Sequence, residues 1–131
     1  MTTRLVILTL AIKIFSLSAN GQKPTCKSLH TGSFKIVSKE VGTTFIKRTA
    51  KLQTEKNDEL GYEVIFDIVW LNECTYELRP KKLIKGDPSI MGDGTHVVKT
   101  RIKEISNNSY IAETSASFGT GTFDFVVEII K

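Results

Sequence analysis

Between Tyr62 and Leu71 the chain runs Tyr-Glu-Val-Ile-Phe-Asp-Ile-Val-Trp-Leu. Tyr62, Val64, Phe66, Ile68 and Trp70 recur at every second position, the period of a pleated strand, and no helical stripe competes with them. Glu63 and Asp67 fall on the opposite face, beside Ile65, Val69 and Leu71. From Gly32 onward the same texture repeats: short β-branched and aromatic runs separated by turn residues, as in an antiparallel all-β domain. The runs predict strands near 33–40, 43–49, 51–57, 61–71, 74–84, 96–105, 109–117 and 122–130. A single antiparallel meander of about eight strands favours a small up-and-down barrel or a strongly curled sheet, because closure removes exposed edges. A two-sheet β-sandwich is the alternative. No long helical pattern is present to cover a flat, open sheet.

The punctuation agrees. Asn72-Glu73 can turn the chain so that Cys74, Tyr76 and Leu78 face back toward Trp70. Asn107-Asn108 is a hairpin signal, since Asn tolerates positive φ. Gly119-Thr120-Gly121 precedes a last run in which Phe123, Phe125, Val127 and Ile129 alternate. In the longest connection, Gly86 to Gly94, Asp87 can cap and Pro88 can start a single helical turn that Gly92 ends. Residues 22–31 read as an extended, polar lead-in.

At the N-terminus, Arg4 precedes an apolar run from Leu5 to Ile12, and the segment closes in Ser18-Ala19-Asn20-Gly21. A basic start, a short apolar stretch and small residues before a cut after Gly21 predict a signal peptide over 1–21. The run, interrupted by Lys13, is too short to span a bilayer. Residues 22–131 then form one domain in an exported protein, periplasmic or extracellular, with no stable membrane insertion. The segment takes only Arg4 and Lys13 with it, so 16 of the 18 basic side chains remain against 14 acidic ones. So weak a balance, with no basic run longer than Arg79-Pro80-Lys81-Lys82, argues against nucleic acid as a partner.

Two cysteines, Cys26 and Cys74, remain in a chain expected to meet an oxidising compartment, which favours a disulfide between them over two free buried thiols. With His30 and His96 they make four residues of zinc-ligand type, but their spacing matches no compact zinc motif, and no metal or other cofactor is expected. Nucleophilic catalysis finds little foothold: no serine sits in a Gly-x-Ser-x-Gly elbow, and a triad would have to use one of the two histidines. Of the carboxylate pairs, Glu55 with Glu77 and Glu63 with Asp67, the latter lie about 13 Å apart by strand rise, wider than glycosidases use. The chain is therefore not expected to be an enzyme.

Arg48, Gln53 and Glu55 flank a turn and can meet across a hairpin. An exposed ion pair is the commoner arrangement for such residues. Turned inward, Arg48 would need Glu55 or another carboxylate, and an Arg in a barrel mouth can hold a carboxylate ligand by two parallel hydrogen bonds. The aromatic set Tyr62, Phe66, Trp70, Tyr76, Phe123 and Phe125 either fills the core or lines a cavity, since an eight-stranded interior can be packed solid or hold one small ligand.

Cys26-Lys27-Ser28-Leu29-His30-Thr31-Gly32-Ser33-Phe34 and Trp70-Leu71-Asn72-Glu73-Cys74-Thr75-Tyr76-Glu77-Leu78 resemble two motifs of a group of small exported bacterial proteins. That group has a Cys-x-x-Leu-His-Thr-Gly-x-Phe start and a Trp-x-x-x-Cys-x-Tyr-x-Leu centre. The resemblance implies a fold and a compartment rather than a mechanism. Some of its members carry the label DNA topoisomerase IV, which a single small exported domain does not support. Gly32-Ser33-Phe34 is also similar to the Gly-x-Trp opening of lipocalin-type barrels, with Phe in place of Trp. It suggests an aromatic plug at one barrel end, Gly32 permitting close backbone packing.

The leading expectation is an exported, non-enzymatic β-barrel binding a small apolar or amphipathic ligand, with Tyr62, Phe66, Trp70, Tyr76 and Arg48 as candidate contacts. The alternative is a structural or protein-interaction module of the cell envelope, working through the Ile65/Val69/Leu71 face.

Overall fold

In the computed structural model, which describes residues 23–131, eight antiparallel strands follow one another around a closed barrel. They are β1 (Gly32–Ser38), β2 (Gly42–Arg48), β3 (Leu52–Asn57), β4 (Tyr62–Asn72), β5 (Thr75–Lys85), β6 (Val98–Lys103), β7 (Ser109–Ala116) and β8 (Phe123–Ile130). Each strand pairs with the next, and β1 closes the ring on β8 through Ser33–Ile130, Phe34–Ile129 and Lys35–Glu128. The meander is therefore a barrel, and the sandwich alternative falls. The predicted signal peptide lies outside the described residues.

Strand alternation sets the wall. On β4, Val64 and Ile68 are buried with Tyr62, Phe66 and Trp70 on the same face, while Val69 and Leu71 stand exposed on the other. Inside, Phe34, Ile46, Ile68, Leu78, Ile102, Tyr110, Ala112 and Val127 form the core. Outside, ion pairs cross between strands: Lys35 with Glu128, Lys103 with Glu113 and Asp124, Arg101 with Glu113, Lys81 with Asp67.

The barrel ends differ. At one end, residues 27–30 form a 3-10 turn that buries Leu29 and is tied by the Cys26–Cys74 disulfide to the β4–β5 turn. The lead-in is thus a folded plug rather than an extended tail. Thr25 and Ser28 hold it by exchanging bonds: each hydroxyl accepts from the other's backbone N–H. Phe34 packs edge-on to Tyr110 in the core beside this plug. Gly32 is needed for its φ of +130°, which a side chain rarely adopts; a Cβ there would meet the Phe34 ring at an ordinary 3.5 Å, so close packing is not the reason.

At the other end lie the β1–β2, β3–β4, β5–β6 and β7–β8 connections. The β5–β6 connection carries the expected 3-10 turn, Pro88–Met91, with Asp87 accepting from the Ser89 N–H and Gly92 ending it at φ 56°. β5 pairs with β6 only over Thr75–Leu78, and its continuation past Pro80 leans on β4 alone. Proline is tolerated there because that stretch is an edge, and Lys81, Lys82 and Lys85 discourage other strands from adding to it.

Candidate functional site

On β2 and β3 the inward face is mostly polar. Thr44, Ile46 and Arg48 alternate on one strand, Gln53, Glu55 and Asn57 on the other, and the register sets Arg48 against Gln53 and Ile46 against Glu55. Arg48 and Gln53 are both almost completely buried. This corrects the expectation of an exposed pair: Arg48 points into the barrel.

Its charge is enclosed by acceptors rather than by a direct carboxylate. Nε donates to Gln53 Oε1 at 2.9 Å and Nη1 to the Leu29 carbonyl of the plug at 2.7 Å. Nη2 donates to the hydroxyls of Tyr110 and Tyr76 at 3.1 and 3.3 Å. The guanidinium carbon also lies 4.5 Å from the Phe34 ring centroid and 4.9 Å from that of Tyr76, within cation–π range. Gln53 then uses its amide nitrogen to donate to Glu55 Oε1 at 2.9 Å, relaying between the cation and the carboxylate.

Above this layer, toward the four connections, the barrel holds a cavity of about 690 Å³. Its wall combines Ile36, Ile46, Leu78, Val98, Ala112 and Val127 with the polar side chains of Gln53, Glu55, Tyr62, Tyr76, Thr100 and Thr114. Lys39, Glu40 and Asp124 stand at the rim with Phe125. The volume falls within the range of about 300–1,000 Å³ in which small-molecule sites lie, and the lining has the mixture of apolar wall and few polar groups such sites show.

Of the predicted contacts, Tyr62 and Tyr76 line this cavity. Phe66 and Trp70 do not; they pack against the core. Trp70 belongs to the plugged end, where His30 stacks on it with ring centroids 3.5 Å apart and holds the Glu73 carbonyl through Nε2 at 2.8 Å. Arg48 lies beneath the cavity floor. Phe125 reaches the cavity, whereas Phe123 is 64 % exposed, because β8 begins at the open rim. Gln53 and Glu55, two residues apart on β3, and Thr100 and Thr114, register partners across β6 and β7, complete a binding wall that the sequence pattern does not disclose. The Thr100 and Thr114 hydroxyls are 3.1 Å apart across β6 and β7.

Burial shifts the titrating groups here. It pushes the Glu55 carboxyl up, opposed by the bond from Gln53 and the charge of Arg48. Tyr62 is raised by burial first and then by the nearby Glu55 charge, with Thr44 opposing. Tyr76 is raised well above the usual phenol range, chiefly by burial and by Tyr110, against Arg48. The other carboxylates considered do not converge: Glu63 and Asp67 are on the outer face, and Glu77 pairs with Arg79. His96 lies 3.7 Å from Asp93 on the β5–β6 connection, and that carboxylate accepts the Thr95 hydroxyl at 2.6 Å, outside the cavity wall. Among the described residues no three His, Cys, Asp or Glu side chains gather as a metal site.

Set against protein-family models, curated proteins and solved structures, the chain matches none of them.

Proposed function

We propose that this chain is an exported, non-enzymatic barrel that binds one small amphipathic molecule in its interior. The observation that carries the reading is the cavity of about 690 Å³, open at one end and closed at the other by the disulfide-clamped plug. An apolar body would lie against Ile36, Ile46, Leu78, Val98 and Val127, and a polar group would reach Gln53, Glu55 or Tyr62. An eight-stranded barrel has room for one such ligand when its interior is not filled by side chains. Export is supported by the Cys26–Cys74 disulfide, which persists in oxidising compartments, together with the signal-peptide pattern of residues 1–21 and the resemblance to exported proteins. No helix among the described residues is long and apolar enough to cross a membrane. The outer wall carries cross-strand ion pairs beside exposed apolar side chains such as Val69, Leu71 and Val126, a mixed surface rather than the continuous apolar belt of a membrane-spanning barrel.

Native mass spectrometry of the oxidised protein, purified from a periplasmic fraction, tests the reading. A discrete extra mass that is lost on denaturation is the expected result. A bare protein whose melting temperature no single-chain amphiphile raises would overturn it.

A second reading keeps the barrel but places its work outside. Val69 and Leu71 stand exposed side by side on the outer face of β4 beside half-buried Ile65, which suits a protein partner in the cell envelope. Replacing both Val69 and Leu71 with lysine would abolish such an association and leave ligand binding intact.

A further inference from the structure

We propose that the ligand carries a cationic amine head which seats on the Glu55 carboxylate, its hydrocarbon tail lying along Ile36, Ile46, Leu78, Val98 and Val127 toward the open end. This rests on the cavity reading above and names the class of molecule that the cavity selects.

The charge arrangement inside the barrel is the first ground. The charged side chains lining the cavity are Lys39, Glu40 and Asp124 at its rim and Glu55 deep in its wall. Glu55 has no ion-pair partner within 4 Å among the described residues. Its one hydrogen bond among them is from Gln53 to Oε1, and the carboxyl borders the cavity. The obvious internal cation is already spent: Arg48 gives its donors to Gln53, Leu29, Tyr76 and Tyr110 and lies outside the cavity lining.

A carboxylate is acceptor-only when ionised, and Glu55, half-buried in the cavity wall and reached by Arg48 only across Gln53, is left with no cation in direct contact. An alkylammonium head supplies the missing charge. A neutral head leaves the carboxylate without one, and an anionic head adds repulsion. The second ground is aromatic: the Tyr62 side chain lines the same cavity, and tyrosine rings attract alkylammonium groups, whereas the Tyr76 ring is already engaged by Arg48. The elevation of the Glu55 carboxyl by burial fits this arrangement, because a bound cation reverses it and a proton leaves as the ligand enters. The groups that set this titration are Arg48 on β2 through Gln53, Tyr62 on β4, Tyr76 across the lumen, and Lys39, Glu40 and Asp124 at the rim.

The test is calorimetric titration of the oxidised protein with three amphiphiles of one tail length, dodecyltrimethylammonium, dodecanol and dodecanoate, each below its micellar concentration. The quaternary head keeps its charge at every pH, so any pH dependence of its binding belongs to the protein. At pH 8 dodecyltrimethylammonium should bind at least tenfold more tightly than either of the others. Its preference over dodecanol, which does not titrate either, should shrink as the pH is lowered to 5, because burial raises the Glu55 carboxyl and favours its protonated form. Glu55→Gln should remove the preference, the variant's folding being checked by its melting transition. Dodecanol binding as tightly as the ammonium ligand, or dodecanoate binding tightest, overturns the head-group inference and leaves the cavity reading standing. Binding of none of the three overturns both. Should Glu55→Gln fail to fold, the pH dependence in the unaltered protein still decides: a preference equal at both pH values overturns the assignment to Glu55.

Discussion

Replacing Arg48 with methionine removes a buried charge while keeping an unbranched side chain of similar reach. Four hydrogen bonds go, but they do not weigh equally. The Tyr76 and Tyr110 hydroxyls can turn toward each other and toward Thr100, so losing Nη2 costs them little. The Leu29 carbonyl and Gln53 Oε1 have no such freedom: both residues are at most 3 % exposed, and each keeps a buried acceptor without its donor. At about 1–3 kcal/mol per orphaned group, that is about 2–6 kcal/mol. Loss of the guanidinium from over the Phe34 ring adds about 1 kcal/mol. Against this, the folded state no longer bears the cost of drying a guanidinium, which is several kcal/mol before compensation. The net expectation is a loss of about 3 kcal/mol, or a fall in melting temperature of about 15 °C for a domain of this size. Urea unfolding of oxidised protein at neutral pH measures it, with Arg48→Lys alongside. Lysine keeps the charge but not the planar fork, so it should recover only part of the loss. An Arg48→Met variant within about 1 kcal/mol of the unaltered protein would refute the reasoning, because the threshold is the least that a single orphaned buried acceptor costs.

Burial raises the Glu55 carboxyl, so the folded state binds its proton more readily than the unfolded chain; stability from this group is full below the ordinary carboxyl value and is lost as pH rises through the folded one. Glu55→Gln should therefore gain stability relative to the unaltered protein as pH rises from about 4 to 8 in urea titrations, and a pH-independent difference would contradict the cause assigned. Replacing both Cys26 and Cys74 with serine opens a loop closed across 48 residues, for which chain entropy gives about 4 kcal/mol. A loss of about 2–4 kcal/mol is expected in thermal or urea unfolding, and one below about 1 kcal/mol would mean the plug holds without its clamp. Ala112→Phe puts a ring into the cavity from β7; binding of any amphiphile should fall at least tenfold in calorimetry while the cooperative melt remains.

What the sequence discloses follows from where alternation coincides with polarity. β4 is legible because Tyr62, Val64, Phe66, Ile68 and Trp70 are apolar at every inward position, and its partner β5 follows from the turn at Asn72-Glu73. The Asn107-Asn108 hairpin is legible because its turn chemistry is local: Ser106 and Ser109 close it on either side. β3 shows why the site is not. Its inward positions are Gln53, Glu55 and Asn57, which a rule of apolar interior and polar exterior turns outward. Their burial depends on partners brought from far along the chain: Leu29 for Arg48, Val41 for Asn57, Tyr110 for Arg48 again. No spacing within β3 records those meetings. The plug is hidden for a different reason. Four residues of 3-10 turn are too short to carry a period, and what side-chain bonding holds the turn locally comes from Thr25 and Ser28, a pair common in loops of every kind. Phe123 errs in the opposite sense: its parity is right, but it stands at the rim, where an inward-facing position has nothing above it to pack against.

A layer of buried polar groups in so small a domain weakens the core that must hold it together, since each group has to exchange water for a protein partner at little net gain. Here that layer lies across the barrel between the plug and the cavity, and its bonds link the two. They pass from the Arg48 guanidinium through the Gln53 amide to Glu55, and in parallel through Tyr76 to the Thr100–Thr114 pair. On the plug side Arg48 gives its donors to Leu29, Gln53 and the two tyrosines, while the buried Trp70 Nε1 beside Tyr76 has no partner. On the cavity side Glu55 meets open space. If the layer served stability alone, apolar residues filling the same lumen would serve better, as they commonly do when they replace buried ion pairs. Arg48 spends its donors beneath while the Glu55 carboxyl borders the open cavity, an arrangement that suits a floor whose last partner comes from outside. The disulfide and the stacked His30–Trp70 pair brace the end at which no ligand enters, so that the opposite end can remain unfilled.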